Sequence, residues 1–138
     1  MKEVIIMDTG PLVALFDKRD PDHIWARGEM SRLPDRVVTC EPVLTEACFL
    51  LGRGRIDPIV ILQAVKDGTL QVTFEIGDEA GALETLMERY ADTPMSLADA
   101  CLARLSELHK DCRVFTLDRH FKSYRRYGRS VIPLLSPW

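Results

Sequence analysis

Four acidic residues stand at positions where an isolated carboxylate would be unusual, namely Asp8, Glu46, Asp99 and Asp118. Asp8 closes the apolar run 4–7, and Asp118 closes the apolar run 114–117, so both are predicted to follow buried strands. Ligands of open α/β sheets bind at the carboxyl ends of the strands. We therefore expect these two acids to face a ligand at one edge of a sheet.

Glu46 is the only charged residue in the apolar stretch 43–51, which is predicted to be a helix. A buried carboxylate without a partner would either take up a proton or bind a cation. The alternatives for Glu46 are a buried salt bridge or a position that faces outward.

The other three acids also have structural explanations. Asp8 suits a helix N-cap and Asp118 suits a turn or cap, while Asp99 follows Ser96 at the spacing of a capping box. At 100° per residue, however, Asp99 lies nearly opposite an apolar stripe and beside small residues, where a ligand could approach closely. The stripe consists of Leu97, Cys101, Leu105 and Leu108, and the small residues are Ala103 and Ser106.

One arrangement explains all four acids, which is convergence at one edge of the predicted sheet. Carboxylates gathered there would repel one another strongly unless a hard divalent cation neutralised them. Ligands that are all oxygen favour Mg²⁺ or Mn²⁺. Such an ion lowers the pKa of a bound water, orients the water for attack on phosphorus and stabilises charge on the leaving oxygen. The pattern therefore predicts a site for phosphodiester hydrolysis.

Runs that suit strands alternate with stretches that suit helices along the whole chain. Strands are predicted over 2–7, 37–40, 70–74, 113–117 and 130–135. Helices are predicted from Gly10-Pro11, over 23–33, from Pro42 to the glycines at 52 and 54, and over 57–66, 78–91, 96–110 and 119–127. Strands separated by helices pair in parallel. We predict one α/β domain over residues 1–138, with helices on both faces of a parallel sheet.

The chain has 138 residues and a formal net charge of −3, but the charge is unevenly distributed. Residues 1–100 carry 10 Lys and Arg against 18 Asp and Glu, whereas residues 101–138 carry 8 against 3. A basic cluster near the end could hold a phosphate backbone or form an ordinary solvated helix end. The cluster includes Arg119, Lys122, Arg125, Arg126 and Arg129.

Spacing argues against a zinc site, because the four cysteines contain no C-x-x-C pair and the three histidines no H-x-x-x-H pair. The cysteines fall mostly in apolar stretches and are predicted to be reduced, buried thiols. No apolar run approaches the roughly 18 residues that span a bilayer, so we expect a cytoplasmic protein without a membrane segment.

Each of the four acids stands in a short motif: IMDTG at 6–10, LTEA at 44–47, PMSLADA at 94–100 and TLDRHF at 116–121. These motifs resemble those of the PIN-domain family, and within it the VapC-like toxins of prokaryotic toxin–antitoxin pairs. Each motif is short, but their order and spacing cover essentially the whole chain. The resemblance implies a three-layer α/β/α sandwich and metal-dependent endoribonuclease activity.

The resemblance also implies roles for individual residues. Asp8, Glu46, Asp99 and Asp118 would be the catalytic quartet that binds Mg²⁺ or Mn²⁺. Thr9 and Thr116 would not bind the metal themselves but would orient a carboxylate or a water of the metal site. Asp92 is either an extra acid or an ordinary turn residue.

Two kinds of partner are expected besides the metal. The substrate would be RNA, contacted by Arg119, Lys122, Arg125 and Arg126, and an antitoxin protein would block the acidic pocket with an Arg or Lys. Apolar helix surfaces and the terminal Trp138 also favour a homodimer.

Several alternatives stay open at this point. A PIN nuclease could serve RNA processing or decay rather than act as a toxin, and a PIN module could bind RNA without cutting it. A phosphatase of the HAD type needs a second Asp two residues after the first, where this chain has Gly10. A receiver-like signalling domain needs a Lys after the last strand, and residues 130–138 contain none.

Overall fold

The computed structural model describes residues 3–33 and 36–138. The strands in these residues are β1 Val4–Met7, β2 Val37–Val38, β3 Cys112–Phe115, β4 Arg125–Arg126, β5 Ser130–Val131 and β6 Leu134–Leu135. The α-helices are α1 Thr9–Phe16, α2 His23–Met30, α3 Glu41–Arg53, α4 Ile59–Lys66, α5 Ile76–Arg89 and α6 Leu97–Leu108, and a 3₁₀ helix covers Arg119–Lys122.

Four strands form a parallel sheet in the order β2-β1-β3-β6. β1 pairs with β3 along its whole length, from Val4 opposite Cys112 to Met7 opposite Phe115. Successive side chains of a strand point to opposite faces, and all four residues of β1 are buried, so both faces of the sheet are covered. The predicted fold class, an α/β sandwich around a central parallel sheet, is confirmed.

This strand order places the carboxyl ends of β1 and β3 side by side. Asp8 follows β1 as the N-cap of α1, and Asp118 follows β3 as the N-cap of the 3₁₀ helix. Gly10 permits the close approach, because a Cβ on this residue would lie 3.2 Å from Cδ1 and 3.3 Å from Cβ of Leu117. A larger residue at position 10 would push the first turn of α1 away from the loop that carries Asp118.

Helix α6 passes through the core and carries Asp99 in its first turn. A capping box begins the helix, as predicted: the Asp99 amide donates to the Ser96 hydroxyl at 3.1 Å, and the Ser96 amide donates to the Asp99 carboxylate at 3.3 Å. The predicted apolar stripe is wrong at both ends, because Leu97 and Leu108 are exposed. The buried face is wider than that stripe and includes residues 98–103, 105 and 106.

The C-terminal segment differs most from its prediction. The helix expected over 119–127 stops after one 3₁₀ turn, and β4 and β5 then form an antiparallel hairpin. Tyr127 and Gly128 make the turn with φ values of 56° and 80°, and a right-handed helix cannot continue through two left-handed residues. The strand expected over 130–135 is divided, at Ile132 and Pro133, between this hairpin and β6.

The remaining elements lie within a few residues of their predicted bounds. The exception is the strand expected over 70–74, where Gln71 alone pairs with the sheet, through a bridge to Val38. The predicted start of the first strand at residue 2 lies outside the described residues. Within the ranges 3–33 and 36–138, no helix is long and apolar enough to cross a membrane.

Candidate active site

Asp8 is buried at the carboxyl end of β1 and uses both carboxylate oxygens as acceptors. Oδ1 accepts from the Thr9 amide at 2.7 Å, and Oδ2 accepts from the Thr116 hydroxyl at 2.6 Å. Burial raises the pKa of Asp8 to about 6, with smaller contributions from the charges of Asp99 and Asp118, although the two hydrogen bonds act in the opposite direction. The charged form of Asp8 is therefore disfavoured until a cation is nearby.

Thr116 connects Asp8 to Asp118. The hydroxyl of this fully buried residue donates to Asp8 and accepts from the Asp118 amide at 2.9 Å. Oδ1 of Asp118 in turn accepts from the His120 amide at 2.9 Å and lies 2.7 Å from His120 Nδ1. One threonine thus fixes the relative positions of the two acids that follow neighbouring strands.

Glu46 lies at the rim of the same site. The buried face of α3 is formed by Val43, Ala47 and Leu51, and Glu46 is exposed, so the outward-facing alternative is the correct one. Its Oε2 accepts from the Thr9 hydroxyl at 3.2 Å. Thr9 therefore connects two acids, with its amide on Asp8 and its hydroxyl on Glu46.

Asp99 is buried beside these acids and accepts hydrogen bonds on one oxygen. Oδ2 receives the Ser96 amide at 3.3 Å and the Tyr124 hydroxyl at 3.1 Å. Burial is the main reason that the pKa of Asp99 is raised, and the charge of Asp118 acts in the same direction. Asp8 and Asp99 are therefore both destabilised as anions by the same low-polarity surroundings and by neighbouring acids.

The four acids share one cavity of about 400 Å³. Its lining contains no Lys, Arg or His among the described residues and consists of Asp8, Thr9, Gly10, Glu46, Leu50, Ser96, Asp99, Leu117 and Asp118. A cavity lined by four carboxylates and by no cationic side chain of the described residues has an unbalanced negative charge. The chemistry of these donors suits a hard divalent ion, which prefers oxygen ligands.

The acids are not gathered into a ready-made ligand cage. In the part of the chain that the structure describes, no three His, Cys, Asp or Glu side chains are grouped closely enough to hold a metal ion. Within the same residues, however, Glu46 Oε1, Asp99 Oδ1 and Asp118 Oδ2 have no hydrogen-bond partner. In each of these acids one carboxylate oxygen accepts hydrogen bonds, and the other is available to a ligand.

The remaining predicted site residues lie outside the cavity. Asp92 is exposed in the turn that precedes α6 and does not line the cavity. Arg119 and Lys122 are exposed, and their cationic groups each lie 5.0 Å from the ring centroid of Trp138. Arg125 donates to two backbone carbonyls of its own loop.

Arg126 has a structural role rather than a free surface position. Its guanidinium donates to the carbonyls of Ser106 at 2.8 Å and Lys110 at 3.2 Å, at the C-terminal end of α6. These contacts compensate carbonyls that the helix itself leaves unpaired. The guanidinium of Arg126 is thus engaged within its own chain, and the residue is half-buried.

Two further side chains of the described residues contact the acids and were not predicted to do so, namely Tyr124 and His120. The helix predicted over 119–127 does not place Tyr124 near Asp99, whereas in the structure Tyr124 is fully buried and reaches Asp99 from the loop between the 3₁₀ helix and β4. The position of His120 could be inferred from the turn pattern, because an Asp side chain in a turn commonly accepts from the backbone amide two residues on, which brings His120 next to Asp118.

Comparison with known proteins adds an independent line of evidence. Ribonuclease VapC26 of Mycobacterium tuberculosis is 27% identical over 135 residues, which cover 94% of this chain and all of that protein. The structure of VapC20 of Mycobacterium tuberculosis, a sarcin–ricin loop cleaving toxin, superposes with a TM-score of 0.76 at 23% identity and covers 86% of this chain and 93% of that one. The second comparison shows a shared fold.

The family resemblance inferred from the four motifs is confirmed by a family model. The model of the PIN domain matches residues 5–127, a range that contains all four acids and most of the chain. The chain belongs to the PIN domain family.

Proposed function

We propose that this protein is a metal-dependent endoribonuclease and the toxin of a VapBC-type toxin–antitoxin pair. The observation that carries the proposal is the cavity that Asp8, Glu46, Asp99 and Asp118 line together and that no Lys, Arg or His of the described residues lines. Membership of the PIN family and the similarity to a protein named as a ribonuclease support the same reaction.

The four acids would hold Mg²⁺ or Mn²⁺. Since Mg²⁺ keeps several of its waters and takes only one or two carboxylates directly, a quartet that is not a tight cage suits it. The ion would supply Lewis-acid polarisation of a phosphate and a water of lowered pKa. The protein's own residues keep the acids in place, with Thr116 fixing Asp8 and Thr9 fixing Glu46.

A surface for RNA lies next to these acids. Arg119 directly follows Asp118 in the chain, and Lys122 lies one 3₁₀ turn further. Both cations pack against Trp138, which limits their side-chain freedom. Arg119 and Lys122 are therefore better placed than Arg126 to contact a phosphate.

Replacing Arg119 and Lys122 together by Ala should weaken RNA binding and flatten its salt dependence. Each lost phosphate contact on single-stranded RNA reduces the slope of log K against log salt by about 0.7, so the double variant should lose about 1 to 1.5 units of slope. The matched control removes two exposed cations elsewhere, Lys66 and Arg89. Equal slopes for the two double variants would show that the effect comes from net charge alone.

An antitoxin would be attracted by the same unbalanced negative charge that would attract the metal. A partner that inserts an Arg or Lys into the cavity would form charge-assisted hydrogen bonds with the free carboxylate oxygens and exclude the metal.

The homodimer stays a prediction. Trp138 favours a homodimer less than expected, because its ring already packs against Arg119 and Lys122 of its own chain.

The proposal is tested by incubating the purified chain with structured and single-stranded RNA in Mg²⁺, in Mn²⁺ and in excess chelator. We expect internal cleavage with either metal, none with chelator, and slower growth of a bacterial host that expresses the chain alone. Cleavage without an effect on growth would favour a nuclease of RNA processing or decay. Metal-dependent binding of RNA without any cleavage would favour a non-catalytic module.

A further inference from the structure

Tyr124 is a fully buried residue whose hydroxyl reaches the proposed metal site. The hydroxyl lies 3.1 Å from Asp99 Oδ2 and 3.4 Å from the carbonyl oxygen of Pro94, so the carboxylate is the nearer acceptor. Burial raises the pKa of the Tyr124 phenol, and the charge of Asp99 acts in the same direction. A carboxylate oxygen can only accept a hydrogen bond, so the phenol hydroxyl is the donor to Asp99.

The hydrogen bonds to the Asp99 side chain all go to the same carboxylate oxygen. The Ser96 amide and the Tyr124 hydroxyl both donate to Oδ2. Oδ1 has no hydrogen-bond partner in the part of the chain that the structure describes, and Asp99 lines the acid cavity. Two donors on one oxygen fix the rotation of the carboxylate and leave the other oxygen for a ligand.

An aromatic cluster holds Tyr124 in place. Its ring packs edge-to-face with Tyr90, at 5.2 Å between centroids, and with Phe121, at 5.1 Å. Tyr90 caps the C-terminal end of α5, and its hydroxyl accepts from the Arg125 amide at 2.8 Å. Among the described residues, this hydroxyl forms no hydrogen bond with any of the four acids. The donor to Asp99 is thus mounted on a rigid, packed support.

We propose that Tyr124 is a positioning residue for Asp99, which holds Oδ2 so that Oδ1 is presented to the metal. The inference rests on the proposed function, because it assigns a role in building that same metal site. It explains why a buried tyrosine is present where phenylalanine would fill the same volume, since a buried hydroxyl is costly unless it has a specific partner.

The test compares Tyr124→Phe with Tyr90→Phe. Each substitution removes one hydroxyl from the same cluster and keeps the ring, but only the first removes a donor to Asp99. Mn²⁺ affinity is measured on both variants and on wild type by calorimetric titration, without RNA. Loss of a partner behind a metal ligand typically weakens metal binding by about 10-fold to 100-fold, so we expect this for Tyr124→Phe and a change below about 3-fold for Tyr90→Phe.

A second measurement separates positioning from general loosening of the fold. If Tyr124 acts through the metal site, the Mn²⁺ concentration for half-maximal RNA cleavage rises in Tyr124→Phe, and saturating Mn²⁺ restores most of the rate. Equal Mn²⁺ affinity in Tyr124→Phe and wild type would overturn the inference and leave the proposed function intact. Absence of Mn²⁺ binding by wild type itself would overturn both.

Discussion

Replacing Asp8 by Asn should reduce metal-dependent RNA cleavage by more than about 100-fold. Changes to residues behind a metal ligand already reduce activity by about 10-fold to 100-fold, and Asp8 is proposed to be a ligand itself. Asn keeps the size of the side chain and can still accept from the Thr9 amide, so the fold should survive. Cleavage of a labelled RNA at fixed Mn²⁺ measures the effect.

Asp92→Asn is the matched control for this substitution. It also converts one aspartate to asparagine, but Asp92 is exposed in a turn and does not line the acid cavity. Its rate should stay within about 2-fold of wild type, as expected of surface changes away from a site. A large loss in Asp92→Asn, or full activity in Asp8→Asn, would contradict the assignment of the site.

The metal-free protein should become less stable as the pH rises from about 4 to about 6. Asp8 has its pKa raised from 3.8 to about 6 in the folded state, chiefly by burial. Between these values the unfolded chain has lost the proton while the folded chain retains it, so the free energy of unfolding falls with rising pH. The two-unit difference corresponds to a loss of about 3 kcal/mol, which is complete above the folded pKa.

Chemical denaturation in chelator at pH 4.5 and pH 7.5 measures this loss, and two controls identify its source. Asp8→Asn should show a smaller difference between the two pH values and should be at least as stable as wild type at pH 7.5. Mn²⁺ should stabilise wild type at pH 7.5 by about 2.7 kcal/mol at 100 times its dissociation constant, and Asp8→Asn much less. A pH dependence that is identical in wild type and Asp8→Asn would show that other groups are responsible.

The two acids at strand ends were predictable because their position depends on short-range pattern alone. In β1 a four-residue apolar strand leads directly into Asp8, and in β3 the buried Val114 and Phe115 lie just before Asp118, so both patterns are visible in the sequence. A parallel sheet brings the ends of such strands to one edge. The same reasoning found the capping box of α6, since Ser96 and Asp99 are three residues apart.

What could not be predicted depends on contacts between distant segments. The exposure of Glu46 follows from how α3 rotates against the core, which its nearly uniform apolar sequence does not specify. The role of Arg126 depends on the hairpin, and the hairpin depends on a turn at Tyr127 and Gly128 that has no Asn-Gly or Asp-Gly signature. The donor from Tyr124 to Asp99 joins residues 25 positions apart.

The four acids are proposed to form one shared metal site, and this proposal has a direct test. It is tested most directly by titrating Mn²⁺ into the RNA-free protein and into four single variants, Asp8→Asn, Glu46→Gln, Asp99→Asn and Asp118→Asn, with Asp92→Asn as the control. We predict saturable binding by wild type and by the control, and at least about 10-fold weaker binding in each of the four variants. Wild-type affinity in the four variants, or no binding by wild type, would contradict the claim.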